Sequence, residues 1–326
     1  MTRFLSLAGR RLSAALPALF IILAGLFLLL QLAPGDTVDA LVAQIGGGDA
    51  AMIESLRSYY ALDQSTATRL FAYLWRLIHL DLGESAIYGK PVINVIMERL
   101  PATLLLMGSS LALAFAAGMA LGLLAARRVN RWEDSLISTL GLLFYSTPSF
   151  WFGLMGIFVF AVYLGWLPVG GFGSVGVSLS GLAKVLDIAW HLLLPTLTLA
   201  MIFLATYLRI MRASLLEVST LDFVRTARAK GLSEKAVLLR HVLRNALLPM
   251  VTLIGLQAGT MLGGSVVVES VFALPGLGRL AYESVVQRDL NTLLGIVFVS
   301  ALLVIVINFV VDMLYAKLDP RIATNH

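Results

Sequence analysis

Six long apolar runs constrain what this chain of 326 residues can fold into. A helix needs about 20 mostly apolar residues to cross the roughly 30 Å hydrocarbon core of a bilayer. The composition agrees, because 59% of the residues are hydrophobic and only 13% are charged, whereas soluble domains are about 25% charged. We therefore predict an all-α membrane protein, residues 1–326 forming a single transmembrane domain. The six predicted spans are residues 12–32, 101–126, 135–163, 189–211, 247–268 and 292–315.

The first run resembles a signal peptide, because Arg3, Arg10 and Arg11 precede it. The apolar part of a signal peptide usually has about 7–15 residues, and this run is longer. We therefore interpret it as a signal anchor that is retained as the first span.

The distribution of basic residues predicts the orientation, since cytoplasmic loops are enriched in Lys and Arg. Of the 24 basic residues, 16 lie in the segments of one side and 8 in those of the other. The basic-rich side holds the two termini and residues 127–134 and 209–246, and the other side holds residues 33–100, 164–188 and 269–291. We predict that both termini and a coupling loop over 212–246 are cytoplasmic, and that loop 33–100 is periplasmic.

Loop 33–100 contains an amphipathic helical pattern at residues 66–80. Leu70, Leu74, Leu77 and Ile78 share one face of the predicted helix, with Phe71 and Trp75 beside them. An amphipathic helix of this kind lies on a membrane surface or caps the spans. A direct contact with an external partner is the alternative.

The cytoplasmic segment 209–246 holds a third of all the basic residues. Asp222 can cap a helix of about two turns, because short acidic side chains favour helix N-termini. Gly231 can end that helix, because glycine accepts the left-handed conformation, and Ser233 can cap the next helix. A short helix held between two spans could transmit force, whereas a solvated basic loop is the simpler alternative.

The sequence lacks the patterns of cysteine chemistry, of nucleotide binding and of ion-coupled transport. There is no cysteine, which excludes disulfides, zinc–cysteine sites, iron–sulfur clusters and thiol catalysis. There is also no phosphate-binding Gly-x-x-x-x-Gly-Lys-Ser/Thr loop, so we predict that the chain alone neither binds nor hydrolyses ATP. Ionisable residues inside the predicted spans lie near their ends, at His191, Arg209 and Asp312. Ion-coupled carriers keep such groups in mid-membrane, so any transport should draw its energy from elsewhere.

Glycines recur at a spacing of four residues in two spans, at Gly118 and Gly122 and at Gly255, Gly259 and Gly263. Because aligned glycines let helices approach closely, we predict packing seams near a pore, either within the chain or between subunits.

The third span contains Pro148 among hydroxyl side chains, which predicts a proline kink in this span. Proline leaves a carbonyl group that needs a polar partner or water. The candidates for a wet translocation path are Ser146, Thr147, Ser149 and Gln257.

A set of motifs over essentially the whole chain resembles the B-type inner-membrane permeases of dipeptide, oligopeptide and nickel ABC importers. The strongest match is Val224–Leu232 followed by Arg244–Pro249, which looks like the EAA loop of that family. Arg225 and Thr226 depart from the general Glu-Ala pattern, in the way that is usual for the peptide branch. Supporting matches are Pro34-Gly35-Asp36, Asp81-Leu82-Gly83 with Ser85, Pro148 to Gly153, Glu269 to Gly278, and Asp319-Pro320-Arg321.

The resemblance implies a type I ABC importer permease in a bacterial inner membrane, importing di- or oligopeptides by alternating access. It implies a non-catalytic subunit without a cofactor of its own, since ATP and Mg²⁺ would be bound by ATPase subunits. The implied partners are a C-type permease in a heterodimer, two ABC ATPases, a periplasmic binding protein and membrane lipid, with no nucleic acid. The implied ATPase-coupling residues are Asp222, Arg225, Thr226, Ala227, Arg228, Ala229, Lys230 and Gly231.

Other functions stay open at this point. The same architecture could import nickel chelates, glutathione or another small solute, because the binding protein largely selects the ligand. From different classes, the chain could be a self-sufficient carrier, a membrane enzyme or a structural scaffold.

Overall fold

The computed structural model describes residues 2–32 and 35–318, and this part of the chain is helical with no β-sheet. Four of its helices are long and apolar enough to cross a membrane, and two bent helix pairs bring the number of candidate spans to as many as six. The chain divides into two compact units, of which the first extends to Pro101 and resumes over Pro275–Val306. The second unit covers Ala102–Leu274 and resumes at Ile307, and it is described as far as residue 318. Pro34 and Asp319-Pro320-Arg321 lie outside the described residues.

The first unit combines the N-terminal helices with two helices from the end of the chain. Its core is formed by apolar side chains of five of them, including Leu23, Leu77, Ile96, Leu280 and Leu294. Its elements are α1 (Thr2–Leu32), α2 (Thr37–Gln44), α3 (Ala50–Tyr59), α4 (Thr66–Ile78), the start of α5 (Val92–Arg127), α12 (Leu277–Val286) and the first part of α13 (Leu290–Leu318).

Helix α4 corresponds to the amphipathic helix that the sequence predicts. Ser65 caps it by accepting a hydrogen bond from the Thr68 amide at 3.2 Å. Tyr73 and Leu77 are its buried residues, and the Tyr73 ring stacks on Phe27 at 5.8 Å between centroids. Of the predicted apolar face, Leu77 lies in the core, whereas Ile78 is exposed.

A buried aspartate organises the loop that precedes α5. Asp289 accepts hydrogen bonds from the Ser85 hydroxyl and from the hydroxyl and amide of Thr292, at 2.8 and 3.2 Å for the latter two. Asn291 donates to the Glu84 carbonyl at 2.9 Å. These bonds tie the segment with Ser85, one of the family motifs, to the start of α13.

The second unit contains the remaining long helices. Its elements are most of α5, α6 (Trp132–Ser146), α7 (Ser149–Gly156), a π-helical segment (Ile157–Tyr163), α8 (Gly181–Ser219), α9 (Asp222–Ala229), α10 (Glu234–Val237), a second π-helical segment (Leu238–Val242), α11 (Leu243–Val271) and the end of α13.

The predicted third span, 135–163, is not one straight helix. The axes of Trp132–Ser146 and Ser149–Tyr163 differ by 101° at Thr147 and Pro148. The bend has a local cause, because a proline disfavours helical backbone at the residue before it. Thr147 accordingly has extended backbone angles, with φ −89° and ψ 132°.

Two long helical stretches reach beyond the predicted spans. Helix α8 has 39 residues and would be about 58 Å long, so it extends past both ends of span 189–211. The stretch Glu234–Val271, which joins α10, the π-helical segment and α11, has 38 residues. Helix α9 is therefore held between two rigid elements that are each longer than a bilayer is thick.

Candidate functional site

Helix α9 is a two-turn helix that is attached to the second unit by a narrow apolar face. Val224 and Ala227, three residues apart and therefore on one side of the helix, are buried in the core of that unit. Val237, Val242 and Ala246 from the stretch Glu234–Val271 belong to the same buried cluster. The other side chains of α9 are left at the surface.

The ends of α9 follow the local sequence, with one difference. Leu221 occupies the N-cap position and Asp222 is the first helical residue, so the prediction that Asp222 caps the helix is wrong. Its carboxylate still lies in the first turn, where negative charge is favoured. Ser233 caps α10 as predicted, accepting from the Ala236 amide at 3.4 Å.

Gly231 ends α9 in the left-handed conformation, with φ +77°. The Gly231 amide donates to the Arg228 carbonyl at 2.9 Å, and the Leu232 amide donates to the Ala227 carbonyl at 3.4 Å. This pair of bonds is the Schellman arrangement, which satisfies carbonyls at a helix C-terminus and needs a residue that tolerates positive φ. The prediction that Gly231 terminates the helix is confirmed.

The exposed face of α9 is polar and basic. The Arg225 side chain is 72% exposed and only 3.5 Å from the Asp222 carboxylate, a surface contact of small energy. Arg228 pairs with Glu234 at 2.9 Å across the turn that follows the helix. Thr226, Ala229 and Lys230 are exposed as well, and so is the apolar Phe223. The predicted coupling residues other than Ala227 and Gly231 thus belong to the exposed surface of α9.

Two of the predicted glycines bring α5 and α8 into close contact. A Cβ atom at Gly118 would lie 2.5 Å from Cβ of Tyr207, and one at Gly122 would lie 2.7 Å from Cβ of Met211. Real Cβ atoms do not approach other atoms this closely, so the two helices pack backbone to backbone along these positions. Both glycines contact the part of α8 that leads toward α9.

The glycines of α11 have different surroundings. Gly255 is packed against Asn308 of α13, where a Cβ atom would lie 2.5 Å from the Asn308 side-chain oxygen. A Cβ atom at Gly259 or Gly263 would meet nothing within 4 Å in the described part of the chain. Gly259 and Gly263 therefore leave a shallow, side-chain-free surface on α11.

A salt bridge that the sequence analysis missed joins α8 to α6. Arg212 donates two hydrogen bonds to the Asp134 carboxylate, at 2.7 and 2.8 Å, and the Asn130 amide adds a third at 3.2 Å. The Asp134 side chain is only 7% exposed. Bidentate pairs of this kind fix relative orientation as well as adding energy. The residues are 78 positions apart, so no local pattern in the sequence relates them.

A buried glutamate was also missed. Glu269 is fully buried in the last turn of α11, and its carboxylate accepts a hydrogen bond from the Thr103 hydroxyl of α5 at 2.8 Å. Helix α11 continues past residue 268, the predicted end of the fifth span, and takes Glu269 into the core. Glu269 lies at the end of its helix, as predicted for the ionisable residues of the spans. The sequence feature that could have revealed this buried glutamate is a carboxylate directly after an apolar run.

The four candidate path residues are only partly brought together. Ser146 and Thr147 donate to the carbonyls of Leu142 and Leu143, at 2.9 and 2.8 Å, so their hydroxyls satisfy the helix that ends at the bend. Ser149 begins the next helix, α7. Gln257 accepts from Thr260 on its own helix at 2.8 Å. Within the described residues no hydrogen bond joins Gln257 to the three hydroxyl residues.

Comparison with known proteins decides the family. A family model described as "Binding-protein-dependent transport system inner membrane component" matches residues 118–324, which include α8, α9 and α11. The chain belongs to this family. The permease is 38% identical over 313 residues to a Brucella abortus permease named for a peptide transport system, with 96% of this chain and 97% of that protein covered. It is 41% identical over 314 residues to the glutathione transport system permease protein GsiC of Escherichia coli, with the same coverage.

Solved structures agree on the fold. A chain of the MetNI methionine ABC transporter, in an inward-facing conformation, superposes with a TM-score of 0.55 at 18% identity, covering 70% of the permease and 97% of that chain. An amino acid ABC transporter gives a TM-score of 0.50 at 16% identity, covering 69% and 94%. The permease therefore has the type I ABC importer fold, and the predicted family, fold class and inner-membrane location are confirmed. It is a pore-forming subunit that acts with a partner permease, an ATPase and a binding protein.

Proposed function

We propose that this permease moves short peptides or peptide-like solutes from the periplasm to the cytoplasm. The support comes from the relatives, of which one is named for peptide transport and another for glutathione, itself a tripeptide. Nickel chelates and other small solutes remain the alternative within the architecture. Uptake of labelled dipeptides, tripeptides and glutathione, in cells with and without this chain, tests the class. If deletion of this chain reduces none of these uptakes, the proposed substrate class is refuted.

The proposed orientation places both termini and α9 in the cytoplasm and loop 33–100 in the periplasm. Its support is the excess of Lys and Arg in the segments assigned to the cytoplasm. The proposed single transmembrane domain has the six spans of the sequence analysis, with the third one bent.

The proposed role of α9 is to dock on an ATPase subunit. One observation carries this proposal: two buried side chains fix the helix, and its polar and basic face is left free between two stretches of 39 and 38 residues. A solvated basic loop would need no ordered helix, no Schellman turn and no buried Val224 and Ala227. A helix of this kind can receive a force without unfolding.

The force would reach the spans through α8. Its close packing on α5 at Gly118 and Gly122 makes the two helices move together, because interlocked backbones are not continuously deformable. The Arg212–Asp134 salt bridge adds α6 to the same body. A displacement of α9 would thus be transmitted to three helices, as alternating access requires.

The test is charge reversal at Arg225 in the complete importer reconstituted in proteoliposomes. We expect Arg225→Glu to keep membrane insertion and ATP hydrolysis but to abolish most substrate-stimulated hydrolysis and uptake. Gly231→Pro should do the same, because proline fixes φ near −65° and removes the amide that donates to the Arg228 carbonyl.

A charge reversal outside α9 provides the matched control. Arg240 is exposed in the same basic segment but lies beyond α9, so Arg240→Glu should leave coupling near the normal level. Normal uptake by Arg225→Glu and Gly231→Pro at normal expression would refute the docking role. Equal losses in Arg225→Glu and Arg240→Glu, with normal coupling in Gly231→Pro, would show that only the charge of the segment matters.

The partners and cofactors follow from the same proposal. The permease would pair with a C-type permease, two ATPases and a periplasmic binding protein, and it would catalyse no reaction itself. ATP and Mg²⁺ would be bound by the ATPases, since the sequence lacks a phosphate-binding loop. The open surface at Gly259 and Gly263 is available for the partner permease.

The proposed path residues are tested by accessibility. The chain has no cysteine, so single substitutions such as Ser149→Cys and Gln257→Cys can each be labelled alone. Modification by a small charged thiol reagent that changes during the ATP cycle would support a wet path. If both positions resist the reagent in every state of the cycle, neither residue lines the path.

A further inference from the structure

A cavity of about 600 Å³ lies in the second unit beside the coupling helix. It is formed where α5 ends, where α8 ends, and where the stretch Glu234–Val271 begins. Among the coupling residues only Arg228 lines it, and that side chain is already paired with Glu234. The cavity is therefore a separate feature from the exposed face of α9.

Two cations that line this cavity are unpaired in the described part of the chain. Arg127 and Lys235 both line it and both are exposed, and neither has an ion-pair partner among the described residues. The local carboxylate, Glu234, is held by Arg228 at 2.9 and 3.3 Å. Two free positive charges on different helices that face one space favour an anionic occupant.

Apart from Ser219 and the Arg228–Glu234 pair, the other lining residues are leucines and Ala126. The charged and the apolar residues are separated along the helices. Leu123 precedes Arg127 by one turn, on the side of α5 that runs into the membrane. Leu238 follows Lys235 by three residues, on the side that leads to the span of α11, and Leu215 lies one turn inside the end of α8. Each helix thus presents leucine toward the membrane and its polar end away from it.

We propose that this cavity is a binding site for an anionic phospholipid. Its phosphate would lie between Arg127 and Lys235, and its glycerol and upper acyl chain would pack on the leucines. Basic pockets between membrane helices on the cytoplasmic side bind such headgroups. A soluble phosphate would leave the apolar wall uncovered, and an acidic segment of a protein would bury its polar backbone against it. The inference goes beyond the transport function and depends only on the proposed orientation.

The test measures lipid binding next to the cavity in the full chain. Leu239 follows the lining residue Leu238 in the sequence, does not itself line the cavity and is exposed. The chain has no cysteine, so Leu239→Cys accepts a single bimane label. The labelled protein is placed in phosphatidylcholine vesicles, and brominated phosphatidylglycerol or brominated phosphatidylcholine is added as the quencher. We expect brominated phosphatidylglycerol to quench the bimane fluorescence at a lower mole fraction than brominated phosphatidylcholine does. Unbrominated phosphatidylglycerol should reverse this quenching.

The variant with Arg127→Gln and Lys235→Gln should lose this preference. A basic residue near an anionic lipid surface accounts for about fivefold in affinity, so the pair predicts about a 25-fold loss. The control, Arg131→Gln with Arg240→Gln, removes the same charge from exposed positions that do not line the cavity, and should keep the preference.

Three results would overturn the proposal. The first is equal quenching by the two lipids. The second is displacement of phosphatidylglycerol by millimolar glycerol phosphate, which would identify a soluble phosphate site. The third is full displacement by the ATPase subunits, which would assign the cavity to that interface. None of these readouts depends on transport, so failure here leaves the proposed substrate class untouched.

Discussion

The contact between α5 and α8 allows a quantitative prediction for Gly122→Ala. The added methyl group would lie 2.7 Å from Cβ of Met211 and 2.9 Å from the carbonyl oxygen of Leu208. The Leu208 oxygen belongs to the backbone, so relief requires a shift of the whole helix. Overpacking of this kind costs about 1–3 kcal/mol.

Gly108→Ala on the same helix is the matched control. A Cβ atom at Gly108 would meet nothing within 4 Å, so this variant should show only the gain in helix propensity, about 1 kcal/mol. The same gain applies at Gly122, and the difference between the two variants isolates the steric cost. We expect Gly122→Ala to be less stable than Gly108→Ala by about 1–3 kcal/mol.

The assay is unfolding of the purified permease in mild detergent by titration with sodium dodecyl sulfate, followed by circular dichroism. The two variants should move the midpoint in opposite directions, or Gly108→Ala should raise it while Gly122→Ala leaves it unchanged. Equal increases in both would show that α5 and α8 do not approach at Gly122. That result would also remove the route by which α9 is proposed to move α5.

Three further predictions concern polar contacts. Asp134→Asn should destabilise the permease by about 1.5–3 kcal/mol, the range for hydrogen bonds to charged groups, and in a double-mutant cycle with Arg212→Gln the two losses should not add. Thr103→Val should lower the unfolding midpoint by removing a donor to the buried Glu269 carboxylate, while Thr103→Ser should restore it; equal midpoints would show that the bond contributes nothing. Ser233→Ala should remove about 1 kcal/mol from the cap of α10, detected as faster amide exchange there with an unchanged global midpoint.

The half-buried Tyr88 hydroxyl illustrates how little of the polar chemistry is visible in the sequence. Tyr88 lies in the loop before α5, and burial, followed by the charge of Glu283, raises its pKa. The Tyr88 hydroxyl donates to the Glu283 carboxylate at 3.3 Å. Tyr88 and Glu283 are 195 residues apart, so only the fold relates them.

The amino-acid sequence by itself determined the properties that depend on neighbouring residues. Apolar runs of the length of a span, the bend at Pro148, the cap at Ser233 and the left-handed turn at Gly231 were all predictable. Each depends on the conformational preferences or the hydropathy of a few consecutive residues. The resemblance to permeases added the family, because its motifs are themselves local.

Only the tertiary structure decided which of these elements meet. Gly118 and Gly259 have the same local spacing, yet Gly118 packs on Tyr207 and Gly259 meets nothing within 4 Å among the described residues. Likewise Arg212 counted as one of many basic residues until the fold placed it against Asp134. Contacts of this kind join residues about 80 or more positions apart, and the period of a helix sets which residues share a face but not which helix that face contacts.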